Sequence, residues 1–272
     1  KTWFKLQTQQ SPTMGLMEQR LQDQAWWRVR FGKQEKDAES GRGFELADIL
    51  EQGMGPGLTS SFVEPAQEKE QKLTVICEDK QYHLTDDGRA LLTAKPCDSG
   101  FDIFVDDAKG SPAFLLRTNQ RLDSWLLTSV RCEQCEARGT RQCGTRELCR
   151  LSHYTETVGE GNAFCMDVEL PELREDGRSH AVCSVCGKDD IAGCVLTTRR
   201  PKWNARQKTL TLDFRGRCSM ASAKNFQLEA EDDSTVVLLF GKVGTNKFVL
   251  DYSRPLGAVQ AFAAALSATH WK

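Results

Sequence analysis

The sequence lacks a long apolar run and an excess of charge of either sign. No stretch reaches the roughly 18 apolar residues that a membrane-spanning helix requires, so we predict no transmembrane helix. Lysine and arginine number 36 against 38 aspartates and glutamates, and the formal net charge is -2. This balance excludes a globally basic protein and an acidic tail protein. We therefore expect no nucleic-acid partner.

A secretory signal is also missing from the start of the chain. Lys1–Trp3 and the residues after them lack the basic, apolar and small-residue order of a signal peptide. The chain begins without an initiator Met, as a fragment or a processed chain does. The cysteines number 11, and an odd count without a signal argues against a secreted disulfide scaffold. We therefore predict reduced thiols and a cytoplasmic location.

Residues 1–70 differ in composition from the rest of the chain. They are rich in Gln, Glu, Lys and Gly, and their apolar residues are scattered. We predict an N-terminal extension that is partly helical or disordered. Its most apolar segment contains Trp26, Trp27 and Phe31. We expect this segment to dock on a protein partner, because exposed aromatic clusters mark interaction sites.

From residue 73 to the end, short apolar and β-branched runs alternate with turn residues. Asp86–Gly88 lies between two such runs, and an Asp-Gly pair in this setting predicts a β-hairpin. Thr209–Phe214 alternates polar with apolar residues, as a half-buried strand does. Many short strands separated by turns predict a β-sandwich or a β-barrel.

The C-terminal region breaks this pattern. Pro255–Leu266 is rich in alanine and opens with a proline, which favours a helix. Gln260 is nearly its only polar side chain, so the helix is apolar on every face and must be buried on all sides. It is too short to span a membrane. We predict that it runs through the middle of a closed β-barrel, and that Trp271 covers the mouth of this barrel.

One motif connects the chain with a known family. Phe214–Gln227, with the sequence FRGRCSMASAKNFQ, closely resembles the signature of the tubby C-terminal domain. Further resemblances follow the family order and cover roughly residues 73–268; they lie at Leu115–Asn119, Arg146–Leu148, Tyr154–Thr157, Pro201–Asn204, Phe240–Val243, Leu250–Tyr252 and Pro255–Ala263. The chain is identified on this basis as a divergent member of the tubby-like family.

The resemblance implies a fold and a class of function. The family fold is a closed barrel of twelve strands around a central apolar C-terminal helix. Family members bind rather than catalyse, and the barrel holds the head group of phosphatidylinositol 4,5-bisphosphate at a membrane. Ciliary members deliver membrane cargo into the cilium. The resemblance thus implies a membrane-peripheral adaptor linked to ciliary trafficking, at a cilium or flagellum.

The lipid site of the family is kept only in part. Lys95 matches the lysine of a family Lys-x-Arg pair, and Arg117 matches a second arginine. Cys97 stands at the arginine of that pair, and the basic run that follows it in the family has become Asp98–Gly100. Because a multivalent phosphate needs several convergent cations, two hypotheses remain. Either Lys95 and Arg117 bind a phosphoinositide, or the chain is a structural or interaction protein of a ciliary or microtubule-associated assembly that has lost lipid binding.

Two cysteine pairs have the spacing of zinc knuckles. Cys132 and Cys135 form one pair, and Cys183 and Cys186 form the other. A turn that presents two thiolates to one tetrahedral ion is typical of a zinc site. Plain thiols and regulatory disulfides are the alternative interpretations, since free cysteine also packs as a small apolar side chain.

The histidines give no sign of catalysis. None of the four has the spacing of a zincin or a nucleophilic triad; they are His83, His153, His180 and His270. We therefore predict a binding protein with no catalytic residues.

Overall fold

The computed structural model describes residues 3–6, 58–67, 70–105, 110–130, 146–173, 182–183, 193–230 and 234–271. Within these ranges the chain forms two short α-helices and many antiparallel strands. The helices are α1 (Leu58–Val63) and α2 (Ala258–Ala268). The strands are β1 (Trp3–Leu6), β2 (Gln71–Glu78), β3 (Gln81–Asp86), β4 (Arg89–Cys97), β5 (Gly100–Val105), β6 (Phe114–Thr118), β7 (Ser124–Ser129), β8 (Arg146–Val158), β9 (Gly161–Leu170), β10 (Val182–Cys183), β11 (Cys194–Thr198), β12 (Lys202–Asn204), β13 (Thr209–Asp213), β14 (Phe226–Ala230), β15 (Val236–Lys242) and β16 (Lys247–Tyr252).

Twelve of the described strands close into a barrel. Their order is β8-β7-β6-β5-β4-β3-β2-β16-β15-β14-β11-β9, and the pairing of β9 with β8 completes the ring. The long strand β8 closes the ring, because it pairs with β7 on one edge over residues 146–152 and with β9 on the other edge over residues 150–158. Closure removes the free edges that an open sheet would present. The predicted closed barrel of twelve strands is confirmed.

The hairpin predicted at Asp86–Gly88 is also confirmed. Asp86 pairs with Arg89, so β3 and β4 are joined by a two-residue turn. Asp87 has a φ of 42° and Gly88 a φ of 86°. Two successive positive φ values define the turn whose twist matches that of antiparallel strands. Asp and Gly tolerate this conformation better than other residues do.

Helix α2 fills the middle of the barrel, as its composition predicted. All eleven of its residues are buried. Gln260, its one amide side chain, accepts a hydrogen bond from the Gly257 amide and donates one to the Leu148 carbonyl, both at 2.8 Å. This pairing satisfies a polar group that would otherwise destabilise the core. A Cβ atom on Gly257 would lie 2.5 Å from the Val63 carbonyl oxygen, so glycine is required where α1 approaches α2.

A second layer of sheet covers part of the outside of the barrel. In it, β13 pairs on one edge with β12 and on the other with β1. Leu212 of β13 packs with Phe214, Leu239 and Val249 in a buried cluster. The sequence pattern did not predict β1, because four residues are too few to establish a periodicity. The boundary at residue 70 between an extension and the barrel domain stays a prediction.

The mouth of the barrel beyond α2 is closed by aromatic rings. The ring of Trp271 stacks on Phe164 at 5.8 Å and meets Phe226 edge-on at 5.4 Å. His153 of β8 lies 5.6 Å from the Trp271 ring, between the barrel wall and the end of the helix. The expectation that Trp271 covers the mouth agrees with this packing. Neither of the two described helices is long and apolar enough to cross a membrane.

Candidate functional site

The two residues predicted to bind phosphate lie on the outer face of one part of the barrel, the sheet formed by β4, β5 and β6. Strand alternation places residues of opposite character on the two faces. On the inside, Ala94, Ile103 and Leu116 are each fully buried. On the outside, the register brings Lys95 opposite Asp102. We call the outward group of Lys95, Asp102 and Arg117 the β4–β6 wall.

Arg117 is held flat against the β4–β6 wall by three acceptors. Its Nη1 donates to the carbonyl oxygen of Phe101 at 2.6 Å and to that of Leu116 at 3.3 Å. Its Nη2 donates to the carboxylate of Asp102. The side chains of Arg117 and Asp102 are 34% and 33% exposed, so solvent and solutes reach this pair.

Lys95 stands on the other side of Asp102, at the start of the same outer row. Its Nζ lies 5.0 Å from the centre of the Phe104 ring. An ammonium group at this distance is attracted to the face of an aromatic ring, and at exposed sites the attraction is weak. The structure therefore brings both predicted cations to one face of three adjacent strands, with Asp102 on the middle strand between them.

Cys97 lies next to Arg117 in the register, separated only by a glycine. Cys97 pairs with Gly100, and Gly100 pairs with Arg117. Gly100 has a φ of 134°, and a Cβ atom there would lie 2.1 Å from the Leu116 carbonyl oxygen. Glycine is thus required for the close approach of β5 and β6. The thiol of Cys97 is exposed, where the family pattern has a guanidinium.

Asp102 is the residue of this site that sequence reasoning missed. The alternation of Asp102 with the apolar residues Phe101 and Ile103 is the signal that could have placed its carboxylate on the outer face. Its pairing with Arg117 depends on the register of β5 against β6, which a single sequence does not reveal. The consequence is chemical: an anion that approaches Arg117 meets a guanidinium already bound to a carboxylate.

The signature motif Phe214–Gln227 has a structural role. Arg217 donates two hydrogen bonds of 2.6 Å to Asp251 of β16, one from Nε and one from Nη2. These bonds raise the pKa of Arg217. Asp251 is only 3% exposed as a side chain, so the pair is buried on the carboxylate side. Asn225 accepts a hydrogen bond of 2.9 Å from the Lys242 amide. The motif thereby fastens its own loop to the barrel.

A surface cavity of about 180 Å³ lies beside this buried pair. Lys72 and Arg215 contribute cations to its lining, and Glu70 contributes a carboxylate. The Nζ of Lys72 lies 3.7 Å from Glu70, and Arg217 is bound to Asp251. Most of the positive charge in the cavity is therefore compensated by protein groups, and we assign no ligand to it.

A polar network ties the barrel wall to α2 near the mouth. The Trp271 Nε1 donates to His153 Nδ1 at 3.2 Å. His153 Nε2 lies 3.1 Å from the hydroxyl of Ser267, which donates to the Ala264 carbonyl at 2.9 Å. Since Nδ1 accepts, the imidazole is neutral and carries its proton on Nε2. Burial lowers the pKa of His153 to about 4, helped by the charge of the neighbouring His270.

The predicted zinc ligands lie mostly outside the described residues. Cys132, Cys135 and Cys186 are not among them, and Cys183 is described only as backbone of β10. Within the described ranges, no group of three or more His, Cys, Asp and Glu residues could hold a metal ion. Zinc at these cysteines stays a prediction. The aromatic segment expected to dock on a protein partner, Trp26–Phe31, also lies outside the described residues.

Three cysteines in or beside the barrel wall pack as small apolar groups. Cys149 of β8 is fully buried, and Cys165 of β9 and Cys218 are each 1% exposed. Burial raises the pKa of the Cys165 thiol to about 12 and also raises the pKa of the Cys218 thiol. Both groups therefore remain protonated thiols at neutral pH. Cys218 lies in the loop after β13 and not on a strand, because the signature motif turns away from the sheet there. Cys77 of β2 is half-buried.

Comparisons with known proteins agree with this architecture. A family model described as "Tub family" matches residues 135–270. The chain is similar to Tubby-related protein 1 of Mus musculus, with 49% identity over 133 residues, which cover 45% of this chain and 24% of that protein. It is similar to Tubby-like F-box protein 2 of Arabidopsis thaliana, with 42% identity over 118 residues, or 40% of this chain and 27% of that protein.

A third relative is Protein king tubby of Anopheles gambiae, which is 35% identical over 132 residues. The match covers 44% of this chain and 30% of that protein. The chain thus spans less than a third of the length of each of these three relatives.

Proposed function

The chain belongs to the Tub family, and from this premise we propose that it is a non-enzymatic phosphoinositide-binding adaptor at a membrane surface. Lys95 and Arg117 hold the phosphates of a phosphatidylinositol 4,5-bisphosphate head group in this proposal. The adaptor works in ciliary trafficking, as the family resemblance implies. The segment of Trp26, Trp27 and Phe31 binds a protein partner.

The geometry of Arg117 carries the proposal. Its Nη2 donates to the carboxylate of Asp102, so this outward donor has the orientation that an anion needs. Arginine binds phosphate and carboxylate through the same planar donor pattern. Lys95 adds a second cation on the same face of the barrel, and a cation next to an anionic membrane surface contributes about 1 kcal/mol.

Sedimentation with liposomes tests this proposal. Vesicles of phosphatidylcholine with 5 mol% phosphatidylinositol 4,5-bisphosphate are compared with vesicles in which phosphatidylserine supplies the same charge. We expect the chain to pellet with the bisphosphate lipid and the Lys95→Ala, Arg117→Ala double variant to stay in solution. Arg206→Ala with Lys208→Ala removes the same charges from an exposed turn between β12 and β13, and this control should pellet normally. Equal pelleting of both double variants would exclude this site.

The second candidate is a tubby-fold interaction protein that has lost lipid binding. The pairing of Arg117 with Asp102 favours it, because the carboxylate competes with phosphate for the same donors. The exposed thiol of Cys97 favours it also, since it supplies no cation. Absence of lipid-dependent pelleting, combined with capture of the chain by a ciliary or microtubule-associated assembly, is the result that this candidate predicts.

A further inference from the structure

Asp102 lies where a phosphate would have to bind. It stands on the middle strand of three, directly opposite Lys95 of β4 in the register. Its carboxylate accepts a hydrogen bond from Arg117 of β6. Lys95, Asp102 and Arg117 therefore form a row of cation, anion and cation across the three strands. Both cations that the proposed function uses are next to the same carboxylate.

The rest of the Arg117 guanidinium is engaged on the barrel side. Nη1 donates to two main-chain carbonyls, of which the closer is that of Phe101 at 2.6 Å. The group is thus positioned by fixed backbone acceptors, and Asp102 takes the outward Nη2 donor. A phosphate that binds Arg117 in this orientation must displace the carboxylate from Nη2 or share the donor with it.

The exposure of the pair makes this displacement feasible. Both side chains are about one-third exposed, at 34% and 33%, and exposed ion pairs are weak and screened by salt. The buried pair of Arg217 with Asp251 differs, because its carboxylate is only 3% exposed. Asp102 is bound tightly enough to occupy Arg117 and loosely enough to leave it.

Resting on the proposed function, we propose that Asp102 is a resident counter-ion that occupies the phosphate position on Arg117 and lowers the affinity of the site. The ligand that displaces it is a phosphate ester carrying more than one negative charge, since a single charge gains little over the carboxylate already present. Asp102 is in this account a specificity residue: it discriminates against monovalent anionic lipids.

Removal of the carboxylate tests this proposal. Asp102→Asn removes the charge and keeps the shape of the side chain. Asp102→Ser removes the charge and also shortens the side chain. The matched control is Asp87→Asn, which deletes the same charge from the exposed turn between β3 and β4, at the opposite end of β4 from Lys95. The full chain and each variant are titrated with phosphatidylcholine vesicles that contain 5 mol% phosphatidylinositol 4,5-bisphosphate or charge-matched phosphatidylserine.

We expect both Asp102 variants to bind bisphosphate vesicles about two- to fivefold more tightly than the native chain, because the lost pair is of the exposed kind. Binding to phosphatidylserine vesicles should rise by a larger factor, so that selectivity for the bisphosphate lipid falls. Asp87→Asn should bind like the native chain, and Arg117→Ala added to Asp102→Asn should cancel the gain.

The outcomes separate this proposal from the function it rests on. Native binding with no gain in the Asp102 variants overturns the role of Asp102 and leaves the proposed function. Binding by the variants but not by the native chain supports the role of Asp102 and contradicts lipid binding by the native protein. Binding by neither overturns both. An equal gain in Asp87→Asn overturns the proposal, because the effect would then come from the net charge of the chain and not from the carboxylate beside Arg117.

Discussion

Two arginine–aspartate pairs lie on the outside of the same barrel, and they differ in burial. Arg217 donates two hydrogen bonds of 2.6 Å to Asp251, whose side chain is 3% exposed. Arg117 donates to Asp102, and both of these side chains are about one-third exposed. The first pair belongs to the family signature and the second to the candidate binding site. A signature motif can thus report how the fold is held together, while the residues proposed to bind phosphate lie on a more exposed surface.

Truncation of each arginine should break the two pairs with different consequences. Arg217→Ala leaves the buried carboxylate of Asp251 without its partner, and we expect a loss of about 3 kcal/mol in the free energy of unfolding. Arg117→Ala breaks an exposed pair and should cost less than about 1 kcal/mol. Urea denaturation followed by tryptophan fluorescence measures both. Similar losses of unfolding free energy in the two variants would show that burial does not make the first pair more stabilising than the second.

Lowering the pH should destabilise the folded chain through the buried side chain of His153. Its pKa is lowered to about 4 by burial, with His270 and Asp123 as the charged neighbours, whereas the ordinary value is about 6.5. The unfolded chain therefore takes up a proton first as the pH falls. The stability present above pH 6.5 is lost between about pH 6.5 and 4, by about 2 to 3 kcal/mol at pH 4.5.

Burial is the main cause of this low pKa, and protonation would also break the hydrogen bond from Trp271. A protonated imidazole has no free acceptor on Nδ1, so it cannot receive the Nε1 hydrogen of Trp271. Comparison with His153→Gln isolates this contribution, because the carboxylates that titrate over the same range are common to both chains. Unfolding curves at pH 7.5 and 4.5 give the difference. If the native chain and the variant lose equal stability, His153 is not responsible.

The smallest effect concerns the cation missing from the β4–β6 wall. Cys97 and Arg117 are both paired with Gly100, and that glycine has no side chain to separate them. Cys97→Arg should therefore add a cation that converges with Arg117 and strengthen binding to bisphosphate vesicles about fivefold, as about 1 kcal/mol per basic residue implies. Cys97→Ser is the matched control and should have no effect. No gain from the arginine would mean that phosphate binds elsewhere.

The features that could be predicted from the sequence depend on local pattern or on composition. The turn at Asp87–Gly88 follows from residues that tolerate positive φ, and the burial of α2 follows from a helix with no polar face. The pairs Arg117–Asp102 and Trp271–His153 depend instead on strand register and chain closure. His153 and Trp271 are 118 residues apart in the sequence, and no local pattern connects them. The motif-based resemblance pointed to Lys95 and Arg117 but not to the carboxylate of Asp102, which is bound to Arg117.

The most direct test follows the two guanidinium groups themselves during ligand binding. The Nε–H resonances of Arg117 and Arg217 are assigned by Arg→Lys variants in 15N-labelled protein, and the chain is titrated with inositol 1,4,5-trisphosphate as a soluble head group. Our account predicts a saturable shift of the Arg117 resonance, enlarged in Asp102→Asn, while the Arg217 resonance stays in place. A shift of Arg217 alone, or no shift of Arg117 in either chain, would contradict phosphate binding at the β4–β6 wall.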